Sequence, residues 1–185
     1  YDGLIKFDGD GTLMPWLATA WENIDEFTWR FTLRDGVTFS NGTPLTSDSV
    51  KAAVDWLTSD ASVRDGVRGE IQFLKGVRII DRLTAEITTT TPVPNMPNYM
   101  GSLIMVDAQR FRELGRQGYA EAPIGTGPFK VDTWKASSIA LTANRSSWHA
   151  PKLDRLEVIA VPDISGRVQG LLSGRIDIAI GLGPD

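Results

Sequence analysis

The sequence predicts an α/β domain of mixed α+β character, and three stretches carry that reading. In residues 28–33 the large apolar side chains Trp29, Phe31 and Leu33 alternate with Thr28, Arg30 and Thr32, the period-two pattern of a strand with one buried face. Residues 77–89 and 129–143 each read as a hairpin about a polar turn, with Leu83, Ala85 and Ile87 alternating with Thr84, Glu86 and Thr88 in the first and alternation on both sides of the turn in the second. Residues 156–180 change period twice, from strand to helix and back to strand.

The other elements follow in order. Residues 4–7 read as a short strand, Asp8-Gly9-Asp10-Gly11 as a turn, and residues 15–21 as a brief helical turn that opens at Pro15 and ends near Trp21. The acidic turn reads as solvated, because a calcium loop needs further oxygen ligands at alternating positions and a distal Glu. After residue 33, Asp35-Gly36 marks a tight turn, Val37 and Phe39 resume the alternation as a second strand, and Asn41-Gly42-Thr43-Pro44 turns again. Thr46 is then placed to cap a helix, with Asp48 in its first turn and Val50, Ala53, Val54 and Leu57 recurring at helical spacing. Periodicity fades over residues 59–76, where Gly66 and Gly69 break any long helix. The hairpin of residues 77–89 turns at Asp81-Arg82, and Pro92, Pro94 and Pro97 force an extended, irregular connection after it. Residues 103–106 read as a short strand, 108–114 as a helix that stops at Gly115, and 119–123 as loop. In the last stretch Ile164, Val168, Leu171 and Leu172 form a helical stripe that Gly174 ends, between strands at 156–161 and 176–180, so a parallel β-α-β unit is expected.

Composition narrows the function classes. The chain has 185 residues, 42% of them apolar and 23% charged, enough for one domain with a real core. A net charge of −4 leaves no basic footprint for nucleic acid. Without cysteine there is no disulfide, thiol nucleophile or cysteine metal site. No apolar run approaches the roughly twenty residues that span a bilayer. The start at Tyr1, with neither Met nor a charged-then-apolar leader, reads as an excised segment whose targeting signal, if any, has been removed. Six tryptophans are many for this size; most are expected in the core, with one or two lining a cleft.

The string from Trp29 to Val50, W-R-F-T-L-R-D-G-V-T-F-S-N-G-T-P-L-T-S-D-S-V, closely resembles the signature of the family 5 extracellular solute-binding proteins, the peptide- and nickel-binding components of ABC transporters. Ser47 stands where that family usually has Ala, and Ser49-Val50 replaces an Asp-Val pair with different spacing. The likeness continues in Tyr1-Asp2-Gly3-Leu4, in Pro15-Trp16-Leu17-Ala18 with Trp21, in Gly125-Thr126-Gly127-Pro128-Phe129, and in Asn144 with Trp148. It ends with Asp163, Arg167, Leu171, Gly174, Ile176, Asp177 and Ala179. What the resemblance implies is a periplasmic-binding-protein-like class II lobe with a mixed sheet: a main lobe of residues 1–46 and 124–185, an inserted smaller subdomain of residues 47–123, and a second lobe absent from this chain. It implies capture of a small-molecule or peptide ligand and delivery to ABC transporter permease subunits. The location is then periplasmic or extracellular, with membrane contact only through the permease or a lipid anchor outside this chain. No catalysis, cofactor or metal is implied.

The residues themselves show no nucleophile, base and orienting group in sequence reach. The glycines of residues 125–127 do not make a phosphate loop, because Pro128 lacks the amide hydrogen and no Lys-Ser/Thr follows. His149, the sole imidazole, has no partner at ligand spacing and reads as a surface residue. Two other classes stay open: a hydrolase using a carboxylate pair from Asp8, Asp10, Glu22 and Asp25, and a ligand-sensing domain of a regulator with the same fold. For the pocket wall the expected residues are Asn98, Tyr99 and Met100, an amide, an aromatic and a thioether in the proline-rich connection, with Tyr1 as a further candidate.

Overall fold

The computed structural model describes residues 1–64 and 69–182, so Gly66 and residues 183–185 lie outside the described residues. Nine strands and four helices are described: β1 (Ile5–Phe7), β2 (Leu13–Pro15), β3 (Ala18–Asp25), β4 (Thr28–Leu33), α1 (Ser47–Thr58), α2 (Asp60–Arg64), β5 (Leu74–Ile79), β6 (Thr84–Thr89), α3 (Ala108–Glu121), β7 (Phe129–Trp134), β8 (Ser138–Ala143), β9 (Arg155–Ile159) and α4 (Ile164–Leu172). They form a two-stranded sheet β1-β2, a four-stranded sheet β3-β4-β6-β5 and a three-stranded sheet β7-β8-β9. The mixed α/β class is as the sequence predicts, but every described ladder is antiparallel.

The expected alternation of β4 is realised. Phe31 and Leu33 are buried, Trp29 packs against the core, and the intervening Arg30 points to the other face. On that face a row of charges crosses all four strands, Glu22 opposite Arg30, Arg30 opposite Glu86, Glu86 opposite Arg78. Arg30 bonds Glu22 at 2.8 Å and Glu86 at 2.7 Å, and the Arg78 guanidinium takes the other Glu86 oxygen. Glu86 is only 2% exposed, because the two guanidinium groups cover it rather than because it lies deep. Its donors, Arg30 foremost, hold its carboxyl below the usual range against the opposing effect of desolvation. Helix α1 lays Val50, Ala53 and Val54 into the core. Thr46 does occupy the position before α1, though its side chain makes no capping bond. The sheet takes β3 and β4 from residues 1–46 and β5 and β6 from residues 47–123, so these two parts share a sheet and a core.

Several expected elements differ, each for a tertiary reason. Residues 15–21 are not helical. Pairing with β4 draws residues 18–25 into β3, while Trp16 donates to Ala18 O, Ala18 to Leu4 O, and Leu17 O accepts from Arg34; long-range hydrogen bonding overrides the local turn signal. Val37 and Phe39 are buried but form no strand. Their loop closes on itself through Phe39 N to Thr43 O and Leu45 N to Val37 O, with one bridge from Thr38 to Pro44. Residues 103–106 likewise reduce to one bridge between Ile104 and Gly3. The strand expected at 176–180 is not formed either: Arg167 of α4 donates to Ile180 O at 3.0 Å, holding the segment beside the helix rather than beside β9. Ile178 and Ile180 stay about four-fifths exposed, at 79% and 81%, and Leu172 is 75% exposed. None of the six tryptophans is fully buried; Trp134 is exposed and the other five are half-buried.

The helix stops at Gly115 as expected, since that residue takes φ +64° and ψ −176°, outside the helical region, and α3 resumes beyond it as a second helical stretch that runs to Glu121 and takes up part of the segment expected as loop. The Tyr119 hydroxyl accepts from Asp107 N at 2.9 Å and donates to Ile124 O, and burial pushes the phenol well above its usual range. Asp107 in turn caps α3, accepting from Gln109 N, Arg110 N and Asn41 Nδ2. Tyr119→Phe is expected to cost about 1–3 kcal/mol, since it leaves a buried amide and a carbonyl unpaired. Thermal unfolding reads this directly, and an unchanged midpoint would mean that water replaces the hydroxyl.

Candidate functional site

The chain's first residues cross residues 100–105 at close range. Leu4 N donates to Met100 O and Met105 N to Asp2 O, both at 3.0 Å. A Cβ on Gly3 would sit 2.3 Å from Gly101 O, so only glycine lets the two backbones approach this far. Beside the crossing lies an open cleft of about 360 Å³, lined by Tyr1, Asp2, Lys6, Phe7, Trp16 and Gly101.

Asp2 is 7% exposed, and both oxygens of its carboxylate have partners. Trp16 Nε1 donates to its Oδ1 at 3.0 Å, Thr126 Oγ1 donates to its Oδ2 at 2.6 Å, and His149 Nε2 lies 3.2 Å from Oδ2. Burial pushes this carboxyl up, but Thr126, Trp16 and His149 together outweigh burial and hold it below the ordinary Asp range. The His149 ring packs against both Trp16 and Trp148, with centroids 4.9 and 4.5 Å away, and the two indoles meet each other edge-on at 4.8 Å, so the three rings form a triangle. Two cations flank the cluster: Lys6 Nζ stands 4.4 Å from the Trp16 ring and the Arg34 guanidinium 4.5 Å from the Trp148 ring. Arg34 also donates from Nε to Trp16 O at 3.0 Å.

Of the residues expected in the wall, Tyr1 lines the cleft, and partial burial raises its phenol above the usual value. Asn98 is exposed, Tyr99 stacks edge-on to Phe73 at 5.3 Å, and Met100 is fully buried in the core; none of these three side chains lines the cleft. Their segment reaches it through Gly101. His149, expected at the surface, is half-buried, with Asp2 and two indoles against it. Lys6, Phe7 and Trp16 were not singled out from sequence, and the one available signal was the expectation that a tryptophan would line a cleft. The carboxylates of the hydrolase alternative lie elsewhere. Asp8 accepts from Asp10 N and Thr12 N in its own turn, Asp25 from Phe27 N, and Glu22 pairs with Arg30.

Aromatic residues beside an ammonium and a carboxylate in one cleft are the kind of lining that small-molecule sites use. A model of the bacterial extracellular solute-binding proteins, family 5, matches residues 12–185. The chain belongs to that family. The nickel-binding periplasmic protein of Escherichia coli (strain K12) is 26% identical over 98% of this chain and 36% of its own length. The glutathione-binding protein GsiB of Salmonella paratyphi A is 28% identical over 97% of this chain and 36% of its own. Among solved structures, NikZ from Campylobacter jejuni in complex with Ni(L-His) superposes with a TM-score of 0.83 at 25% identity, over 95% of this chain and 36% of that one. The chain thus spans about a third of the length of these relatives, all of which are solute-binding proteins rather than enzymes.

Proposed function

We propose that this chain forms one lobe of an extracytoplasmic solute-binding protein of an ABC importer, and that its cleft is one wall of the solute site. The solute, a peptide or a similarly small molecule such as a metal chelate, is held between this wall and a second lobe and handed to the permease subunits. The protein works in the periplasm or outside the cell, and meets the membrane through the permease or a lipid anchor outside these residues. The observation that carries the reading is the aromatic cleft at the crossing of residues 1–7 with 100–105, on a chain of this family. The apolar side chains of Leu172, Ile178 and Ile180, left in water here, support a further lobe, because exposed apolar clusters mark contact surfaces.

A wall that is open on one side leaves about half of a solute wet. If the complete protein binds at micromolar affinity, about −8 kcal/mol, losing half of that leaves millimolar binding or weaker. Titration calorimetry with a peptide library, run on residues 1–185 and on the complete protein, is expected to show that difference. Micromolar binding by residues 1–185 alone would mean that the site is complete within them and would overturn the two-lobe reading.

A further inference from the structure

Of the asparagines in the chain, only Asn41 is followed by glycine. Such a pair is chemically labile, because no Cβ on the second residue shields its amide nitrogen from the asparagine side chain. The nitrogen loses its proton to base and attacks Cγ, a C–N bond forms, ammonia leaves, and a succinimide ring results. Water then opens either carbonyl of the ring, giving aspartate or isoaspartate. In the folded chain the groups that must move are already engaged. Gly42 N donates to Phe39 O at 2.8 Å, Asn41 Oδ1 accepts from Thr43 N at 3.1 Å, and Asn41 Nδ2 donates to Asp107 Oδ2 at 2.8 Å. Asn41 is itself exposed, so these bonds, rather than burial, restrain it.

The acceptor of that amide bond is no ordinary surface carboxylate. Asp107 is 1% exposed and caps α3, its Oδ1 accepting from Gln109 N and Arg110 N. Burial pushes its carboxyl up, but Arg110 N, Asn41, Thr43 and Gln109 together outweigh burial and hold it below the usual range, as an anion. We infer that Asn41 is a modification site, at which spontaneous deamidation replaces the donor to Asp107 with a second carboxylate and so releases the cap of α3. Two carboxylates at hydrogen-bond distance repel, neither can donate to the other, and one of them has little access to water. Isoaspartate goes further, since it lengthens the backbone of the loop that closes between Phe39 and Thr43. The disturbance does not end at the cap, because Asp107 N also donates to the Tyr119 hydroxyl, which holds Ile124 O. The fold thus delays a reaction whose product loosens the fold.

The test ages the complete protein at mildly alkaline pH, in buffer and in concentrated guanidinium chloride, and follows the peptide carrying residues 41–42 by mass spectrometry. Conversion to aspartate and isoaspartate is expected to be about tenfold or more slower in the folded protein, the factor that a local opening of modest free energy imposes. Asn41→Asp supplies one product directly. Amide hydrogen exchange over residues 107–111 is expected to be about tenfold or more faster in this variant than in the wild type, because the acceptor of Gln109 N and Arg110 N is no longer fixed. Adding Asp107→Asn exchanges donor and acceptor across the same contact: the new amide donates to residue 41 while its oxygen still accepts from Gln109 N and Arg110 N. Exchange in the double variant is expected to return to within about threefold of the wild type, since Asn caps a helix as well as Asp does. Circular dichroism checks folding, and wild type aged to partial conversion gives the same exchange comparison without any substitution. Equal conversion rates with and without denaturant would overturn the inference. Wild-type exchange in Asn41→Asp and in the aged protein would overturn it too, as would fast exchange that persists in the folded double variant, because the loss would then not come from two facing carboxylates.

Discussion

Phe31→Ala is expected to destabilise the fold by about 3–5 kcal/mol, the combined loss of a buried aromatic ring and the cavity it leaves. Phe31 is fully buried in β4, opposite Trp21 on β3 and Ala85 on β6. Because β4 is hydrogen-bonded along both edges, the backbone has little freedom to collapse into the space. The small Ala85 side chain across the ladder cannot fill it either. Urea unfolding at neutral pH measures the effect as a lower midpoint at an unchanged slope. A loss under about 1 kcal/mol would show that the alternation in β4 faces the other way.

Asp2→Ala is expected to cost about 3 kcal/mol, because it strands donors from three distant parts of the chain in a largely buried place. Thr126 Oγ1, Trp16 Nε1 and His149 would each lose the same acceptor. The effect carries a pH signature. The carboxyl of folded Asp2 is held below its ordinary value, which is about 3.9 in an unfolded chain. Its contribution is therefore complete above that value and is lost as the pH falls through the lower, folded one. Comparing wild type with Asp2→Asn by urea unfolding from pH 7 down to pH 3 should show a stability gap that is constant at first and narrows below about pH 4. A gap that stays constant throughout would mean that the carboxylate's charge is not what the cluster holds.

The two sites also show where reading the sequence succeeds and where it stops. Phe31 was legible because alternation is a local property: Trp29, Phe31 and Leu33 declare a face within six residues. The hairpins β5-β6 and β7-β8 were legible for the same reason, since their partners adjoin in sequence. Strand β3 was not, because nothing in Ala18–Asp25 alternates strongly, and its conformation is imposed by the edge of β4. The β-α-β expectation failed similarly, since helix α4 formed but the Arg167 contact decided where residues 176–180 would go. Of the cleft, only Tyr1 was found in advance. Thr126 lies 124 residues from Asp2 and His149 lies 147 away, distances over which no spacing rule operates. The proline connection touches the cleft through Gly101, but a 3-10 turn at Met96–Tyr99 pulls Met96 and Pro97 inward, with Met100 buried directly after it.

The row Glu22, Arg30, Glu86, Arg78 bears on how the chain avoids misfolding. Side chains on a strand alternate faces, so sliding β6 by one residue along β4 would turn Glu86 from its two arginines into the space beside Phe31, while Ala85 and Ile87 would turn out to water. A buried, unpaired carboxylate is far more costly than the loss of an ordinary contact. The same slip on β5 would strand Arg78 opposite an alanine or an isoleucine. In water an exposed charge pair adds little to the stability of the correct sheet. Its larger effect falls on the incorrect ones: the four side chains act as a proofreading key that admits one alignment of the strands and raises the energy of its nearest competitors.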